Sequence, residues 1–474
     1  MASPIHRLAD ETLHEIFTLV AAQWPPRPAL NINARDSAIR ALYTDPTPEE
    51  WELVEFDVTH WERGSLGFVC IGHLCRRFRH ILLAATELWA TIVGIFPEAT
   101  DAIVSRAGNR SFTVHLNDAS YRVDTHLVRE FVQGTAHRVH SLLITDVRST
   151  HARAIPHFIR RCHFPHLVTL RVQAHEWWEG GCNDYQPPQE PPLPLPCLEI
   201  LYVKNTFFTV QSEKMSAIGF TVDKPASDDT EWFLDPHGLS IMLANSPHLT
   251  NLELHTTTWR SPNSQLSPAA PIDLRSLNSV YLRTHSASEM DGDLMSTFPN
   301  VVWPQARVHL DMIFTDEDDF VSFQPLFQWL DKTEALGDFD TLRIDTAHGD
   351  RLDEMERSQG QVLVVSFLLY ERREENTPHP GLDDLMPKIV LRVRTNLGTE
   401  DGRMDPDVQN KIITRFCESS FVSQTVRSLE VAEDVEEFRS ELGPFQSDVR
   451  VSVVPVASHV SAMFSPVVAD PAFA

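Results

Sequence analysis

The sequence predicts a mixed α+β chain: a small three-helix bundle at the front, then an irregular α/β solenoid of strand–loop–helix units. Three observations predict it. Apolar residues in the first ninety positions recur at three- and four-residue intervals. After residue 160 one short phrase returns four times, each time ending in alternating apolar residues. The chain has 474 residues, long for one hydrophobic core, so two or more structural units are expected.

The first helix is carried by Leu8, Leu13, Ile16, Phe17 and Val20. Asp10 is expected to cap its start and Glu11 to favour its first turn through the exposed amides. Trp24-Pro25-Pro26 must end it, because proline lacks the amide donor and clashes with the preceding turn. A polar segment over 27–64, with Asp45-Pro46-Thr47-Pro48 inside it, reads as an insertion. Periodicity resumes at Leu66, and Val69, Leu74, Phe78, Ile81 and Leu82 are expected to share one stripe around a bend at Gly72. Arg76, Arg77 and Arg79 then face solvent or the edge of the core. Thr86 is expected to cap a third helix that holds Leu88 and Trp89.

In the second half the phrase reads PHLVTLRV at 165–172, PCLEILYV at 196–203, PHLTNLEL at 247–254 and LRSLNSVYL at 274–282. Leu167, Leu198, Leu249 and Leu277 each begin one strand pattern. Asp235-Pro236 is expected to start a helix with Leu239, Met242 and Leu243, and Asp405-Pro406 another with Val408, Ile412 and Phe416. Thr315 is expected to cap a further helix through Phe320, Phe323, Phe327 and Leu330. Further strands are expected at 308–310, 342–344, 362–369, 389–393 and 429–431. Units that bury a face only against their neighbours make a solenoid.

The ordered motifs of the first ninety residues resemble the F-box-like domain of large fungal (basidiomycete-type) families. Ile5, Leu8-Ala9-Asp10-Glu11-Thr12-Leu13 and Ile16-Phe17 match the family's opening Ile, then Leu-Pro-x-Glu-Ile-Leu-x-x-Ile-Phe. Leu74-Cys75-Arg76-Arg77-Phe78-Arg79 and Leu88-Trp89 match its Val-Cys-Arg-Arg-Trp-Arg and later Leu-Trp. Ala107-Gly108-Asn109 through Val114 echo a following Ser-Gly-Asn stretch. Ala9 stands where the family has proline, and Phe78 where it has tryptophan. The second half resembles leucine-rich repeats, with the repeat asparagine mostly absent.

The resemblance implies docking onto a Skp-type adaptor, and through it a cullin, with Pro4, Ile5, Leu8, Leu13, Ile16, Leu88 and Trp89 as adaptor-binding residues. Pro4, Ile5 and Leu8 are the expected exposed contacts, since some of the others must build the core. The expected organisation is an F-box-like domain at 1–95 with an insert at about 24–64, a linking region at 96–160, the repeat-like region at 161–455 and a disordered tail at 456–474.

No enzyme is expected. His175-Glu176-Trp177-Trp178-Glu179 has glutamate where a zinc-protease helix needs its second histidine. Cys162, His163, His166 and Cys182 form an inventory for tetrahedral zinc, but Cys162 also reads as the end of a helix through Ile155, Phe158 and Ile159. No metal or other cofactor is therefore assigned. There is no phosphate-binding glycine loop and no nucleophile elbow. Trp177, Trp178 and Tyr185, beside Pro187-Pro188, are the candidate substrate-binding aromatics; the plainer reading is that both tryptophans cover a repeat end.

A net charge of −26 disfavours nucleic acid as a partner. The longest apolar run, Val362 to Tyr370, is too short to cross a bilayer as a helix, so no membrane partner is expected. Six scattered cysteines and an N-terminus without an apolar signal core point to the cytoplasm or nucleus. The expected function is substrate recognition in a cullin–RING (SCF-type) ubiquitin ligase. The alternative is a structural or protein-interaction role outside the ligase.

Overall fold

A computed structural model describes residues 7–27, 65–117, 132, 134–147, 155–174, 191–221, 236–255, 272–284, 301–302, 306–314, 339–348, 363–371, 387–395, 406–417, 426, 428–432 and 450–454. The fold is mixed α and β. The chain divides into two compact units, residues 1–181 with 192–210, and residues 182–191 with 211–474.

The first unit opens with α1 (Asp10–Gln23), whose buried face holds Leu13 and Phe17. Ala9, not Asp10, is its N-cap, and no side chain caps it. Asp10 is instead taken by Arg77. Trp24 ends the helix, as the two prolines after it require. Arg27 and Ser65 then exchange backbone N–H···O bonds of 2.9 Å, which pins together the two ends of the polar insertion. Gly67 makes this closure possible. Its φ is +50°, and a Cβ there would lie 2.5 Å from the Pro26 nitrogen, a contact no side chain tolerates.

A 3₁₀ helix, Gly67–His73, leads into α2 (Arg76–Ala84) and α3 (Thr86–Ala90). Cys75 caps α2, its sulfur accepting from the Phe78 N–H at 3.4 Å. Thr86 lies inside α3 rather than capping it; Ala85 is the cap residue. Leu74 departs from the expected apolar stripe and is 71% exposed, because the 3₁₀ turn rotates it away from Phe78, Ile81 and Leu82. Phe17 meets Phe78 edge-on at 5.4 Å, and Phe68 meets Trp89 at 6.5 Å.

The described residues of the stretch expected to link the halves form regular elements. It holds α4 (Thr100–Ala107), β1 (Phe112–Asn117), β2 (Val139–Val147) and α5 (Ile155–Cys162). Val93 bridges to Val114, and Gly94, at φ +91°, lies where a Cβ would strike the His115 carbonyl. Next come β3 (Thr169–Ala174), β4 (Leu193–Pro194), β5 (Ile200–Lys204) and β6 (Val210–Gln211). Strands β1, β2, β3 and β5 are parallel neighbours in that order. Val114, Leu142, Leu170 and Leu201 align in one row; Leu116, Ile144, Val172 and Val203 align in the next; all eight are buried.

The second unit contains β7 (Ala217–Thr221), α6 (Pro236–Ala244), β8 (Asn251–His255), β9 (Ile272–Asp273), β10 (Ser279–Thr284), β11 (Val301–Val302) and β12 (Arg307–Phe314). Then follow β13 (Phe339–His348), β14 (Leu363–Glu371), β15 (Ile389–Thr395), α7 (Pro406–Cys417), β16 (Ser428–Ala432) and β17 (Arg450–Val454). Both helices start at the expected prolines. Leu239, Met242, Leu243, Ile412 and Phe416 are buried. The helix expected from Thr315 lies outside the described residues.

Strand order in this unit is β7-β8-β10-β12-β15-β14-β13-β16-β17. The order is sequential to β12, then reverses across β15, β14 and β13. Strand β14 is antiparallel to both neighbours. Ile218, Leu252, Val280, Val308, Ile389, Leu369, Leu342 and Leu429 form one buried row across these strands. Phe416 of α7 stacks on Phe367 of β14 at 3.7 Å, covering the same face.

The recurring phrase has one structural meaning. Leu198, Leu249 and Leu277 each donate N–H to the carbonyl three residues earlier, at 3.0, 3.1 and 2.9 Å, closing a turn. In two of these turns a proline, Pro196 or Pro247, occupies the first corner, where its fixed φ suits the bend. The leucine drops into the core and the strand begins.

Candidate functional site

Two surfaces qualify, one in each unit. In the first, Leu13, Leu88 and Trp89 are buried, while Leu8 and Ile16 are half-buried. Pro4, Ile5, Trp177, Trp178 and Tyr185 lie outside the described residues. The expected adaptor-binding set is therefore split. Leu13, Leu88 and Trp89 build the core, and only Leu8 and Ile16 among the described five reach the surface. Trp89 is held on three sides: its indole N–H donates to the Leu82 carbonyl at 2.8 Å, Phe68 meets its edge, and the Arg106 guanidinium lies 4.5 Å from the ring centroid.

The large apolar side chains that do face outward are others: Leu19 (66% exposed), Trp24, Leu66, Leu74 and Leu83. All belong to α1, α2 or the segments beside them. Arg77 and Arg79 of the basic run tie these elements together. Arg77 donates to Asp10 Oδ1 and to the Leu8 carbonyl, and Arg79 donates to the Gly72 carbonyl at 3.1 Å. His14 of α1 pairs with Glu87 of α3. Partial burial pushes the Glu87 carboxyl up, but its backbone hydrogen bond and His14 together bring it below its ordinary value.

In the second unit, the sheet face opposite the apolar rows carries a connected polar group. The rows Glu253, Tyr281, His309 and His255, Arg283, Asp311 run across β8, β10 and β12 in register. The Tyr281 ring lies 4.8 Å from the His255 ring and 6.4 Å from that of His309. Its hydroxyl donates to Asp311 Oδ2 at 2.9 Å, and the Arg283 Nε is 3.8 Å from the same oxygen. His255 Nε2 is 2.9 Å from Glu253 Oε1. Burial, with the like charge of Arg307 beside it, lowers the His309 pKa to about 4, so its ring is neutral at pH 7.

None of these six residues was singled out by the sequence reading. A signal was available. Aligning Leu252-Glu253-Leu254-His255, Val280-Tyr281-Leu282-Arg283 and Val308-His309-Leu310-Asp311 puts their outward residues in two columns.

Among the described residues no group of three or more His, Cys, Asp or Glu could hold a metal ion. Cys162 is buried at the end of α5, whereas Cys182 lies outside the described residues. Among the described residues no helix is long and apolar enough to cross a membrane. In comparisons with known proteins, the chain matches no family model, no curated protein and no solved structure.

Proposed function

We propose that the chain is a substrate-recognition adaptor of a cullin–RING ubiquitin ligase, in which the N-terminal helices bind a Skp-type adaptor and the strand-rich remainder holds a protein substrate. Its role is non-enzymatic. It brings substrate and ligase together, so that transfer becomes an effectively local reaction. The observation that carries the reading is the ordered F-box-like motif set, together with the outward apolar side chains Leu19, Leu74 and Leu83 on the helices that hold it. Single exposed leucines are ordinary, but several on one small helical group favour a partner.

The test is calorimetric titration of the full chain with the Skp-type adaptor of the same organism. Saturable binding at micromolar affinity or tighter is expected, weakened at least tenfold by Leu74→Asp with Leu83→Asp. A folded chain that releases no heat overturns the ligase assignment and leaves a protein-interaction role outside the ligase.

A further inference from the structure

We propose that the outward face of β8, β10 and β12 binds an extended acidic protein segment with carboxylates at positions i and i+4 and an apolar or aromatic side chain at i+2. This rests on reading the strand-rich remainder as the substrate-holding part, and it gives that substrate a chemistry.

The whole chain carries 40 basic and 66 acidic side chains. The balance reverses only when the neighbouring β15 is counted: Arg283 and Arg307 match Glu253 and Asp311 on β8, β10 and β12, and the buried Arg392 of β15 adds a third arginine beside Asp311. Both acids are engaged within the protein, Glu253 by His255, and Asp311 by the Tyr281 hydroxyl and Arg283. Asp311 is buried, so it orients the tyrosine and the arginine rather than meeting a ligand. A carboxylate approaching this face is attracted by the guanidinium groups, and both acids of the face are already paired within the protein.

Register then sets the spacing. Arg307 pairs with Ser279, and Arg283 pairs with Asp311. The two arginines therefore flank the Tyr281–His309 row, one two residues before it and the other two residues after it. Four residues of strand span about 13 Å. In an extended segment laid along the strands, side chains at i and i+4 have the same separation, and the one at i+2 points to the same side. The half-buried Tyr281 ring, braced by two histidine rings, offers that central side chain a flat surface. Further across the sheet, Leu368, Tyr370 and Val390 are fully buried on this face, whereas Tyr281, Arg283 and His309 keep part of their surface and Arg307 is exposed.

The probe is a fluorescein-labelled peptide, glutamate–serine–phenylalanine–serine–glutamate with neutral flanks, followed by anisotropy with the full chain at low salt. Saturable binding is expected, at least tenfold weaker for the double glutamine peptide and for Arg283→Gln or Arg307→Gln. Arg275→Gln, on an exposed turn of the same unit, should stay within twofold. Arg283→Lys keeps the charge and guards against misfolding; it should bind more tightly than Arg283→Gln at an unchanged melting temperature. Absence of binding, equal binding of the acid and amide peptides, or indifference to both arginines overturns the proposal. So does an oligothymidylate that binds more tightly than the peptide through the same arginines. Titrating the same preparation with the Skp-type adaptor keeps this outcome separate from the ligase assignment.

Discussion

The Arg77 guanidinium joins Asp10 across 67 positions of sequence, its Nε and Nη2 lying 2.8 and 2.5 Å from Oδ1. One residue of the basic run thus fastens the start of α1 to α2, and the long insertion between them leaves this contact intact. Arg77 also donates to the Leu8 carbonyl, so the backbone leading into α1 is held as well.

Arg77→Ala should loosen that entry without unfolding the bundle. The pair is largely solvent-exposed, and such pairs contribute about 0.2–1 kcal/mol. Urea denaturation should therefore show a loss under about 1 kcal/mol. Hydrogen exchange should be faster at Leu13, whose N–H bonds to the Ala9 carbonyl, than at amides in the middle of α2.

Trp89 separates packing from hydrogen bonding. The Leu82 carbonyl accepts from the Ala85 N–H at 3.2 Å as well as from the indole. Trp89→Phe leaves that carbonyl bonded and should cost about 1 kcal/mol for the lost hydrogen bond, plus the smaller ring's lost contacts. Trp89→Ala should cost about 3–5 kcal/mol, because a buried aromatic becomes a cavity. Reversible denaturation of the two variants gives the comparison directly.

Leu201 and Tyr202 are adjacent but belong to opposite faces of β5. Leu201→Ala should cost about 2–5 kcal/mol, since its side chain is fully buried. Tyr202→Ala removes a half-buried ring and its contact with Arg171 at 5.3 Å, and should cost clearly less. Similar losses for the two would contradict a sheet with one apolar and one polar face in this unit.

His309 should make stability depend on pH. An unfolded histidine titrates near 6.5, and burial holds the folded ring at about 4. As pH falls from about 6.5 to about 4, the unfolded chain gains a proton that the folded chain refuses, so folding weakens across that window and no further below it. His309→Gln should remove this component. Denaturation midpoints of wild type and variant should converge as the pH is lowered through the window, relative to their difference at pH 7.5.

The strands and buried rows could be anticipated because their signal is local. Leu198, Leu249 and Leu277 follow a turn and precede two alternating apolar residues, so a few positions decide each one. The caps of α1, α2 and α3 could not. Aspartate and threonine are strong capping residues, yet Ala9 and Ala85 take those places, and a thiol, Cys75, caps α2. At α1 the winning contact is long-range: Asp10 goes to Arg77. Strand order is non-local too. Nothing near Leu363–Glu371 announces that this strand lies antiparallel between β13 and β15, because pairing partners depend on where the connections lead. The face built by Tyr281, Arg283, His309 and Asp311 depends on that register, so these residues stayed unmarked while the leucines beside them stood out.

The Arg27–Ser65 bridge has a consequence for how this chain tolerates change. Two backbone hydrogen bonds hold the mouths of a 37-residue segment side by side, and a glycine guards the seat on which they close. Lengthening a closed loop costs only about 0.6 kcal/mol per doubling. With Arg27 and Ser65 bridged, a fluorescent reporter or an affinity handle spliced in between them should leave Leu13, Phe17, Phe78 and Trp89 packed as they are.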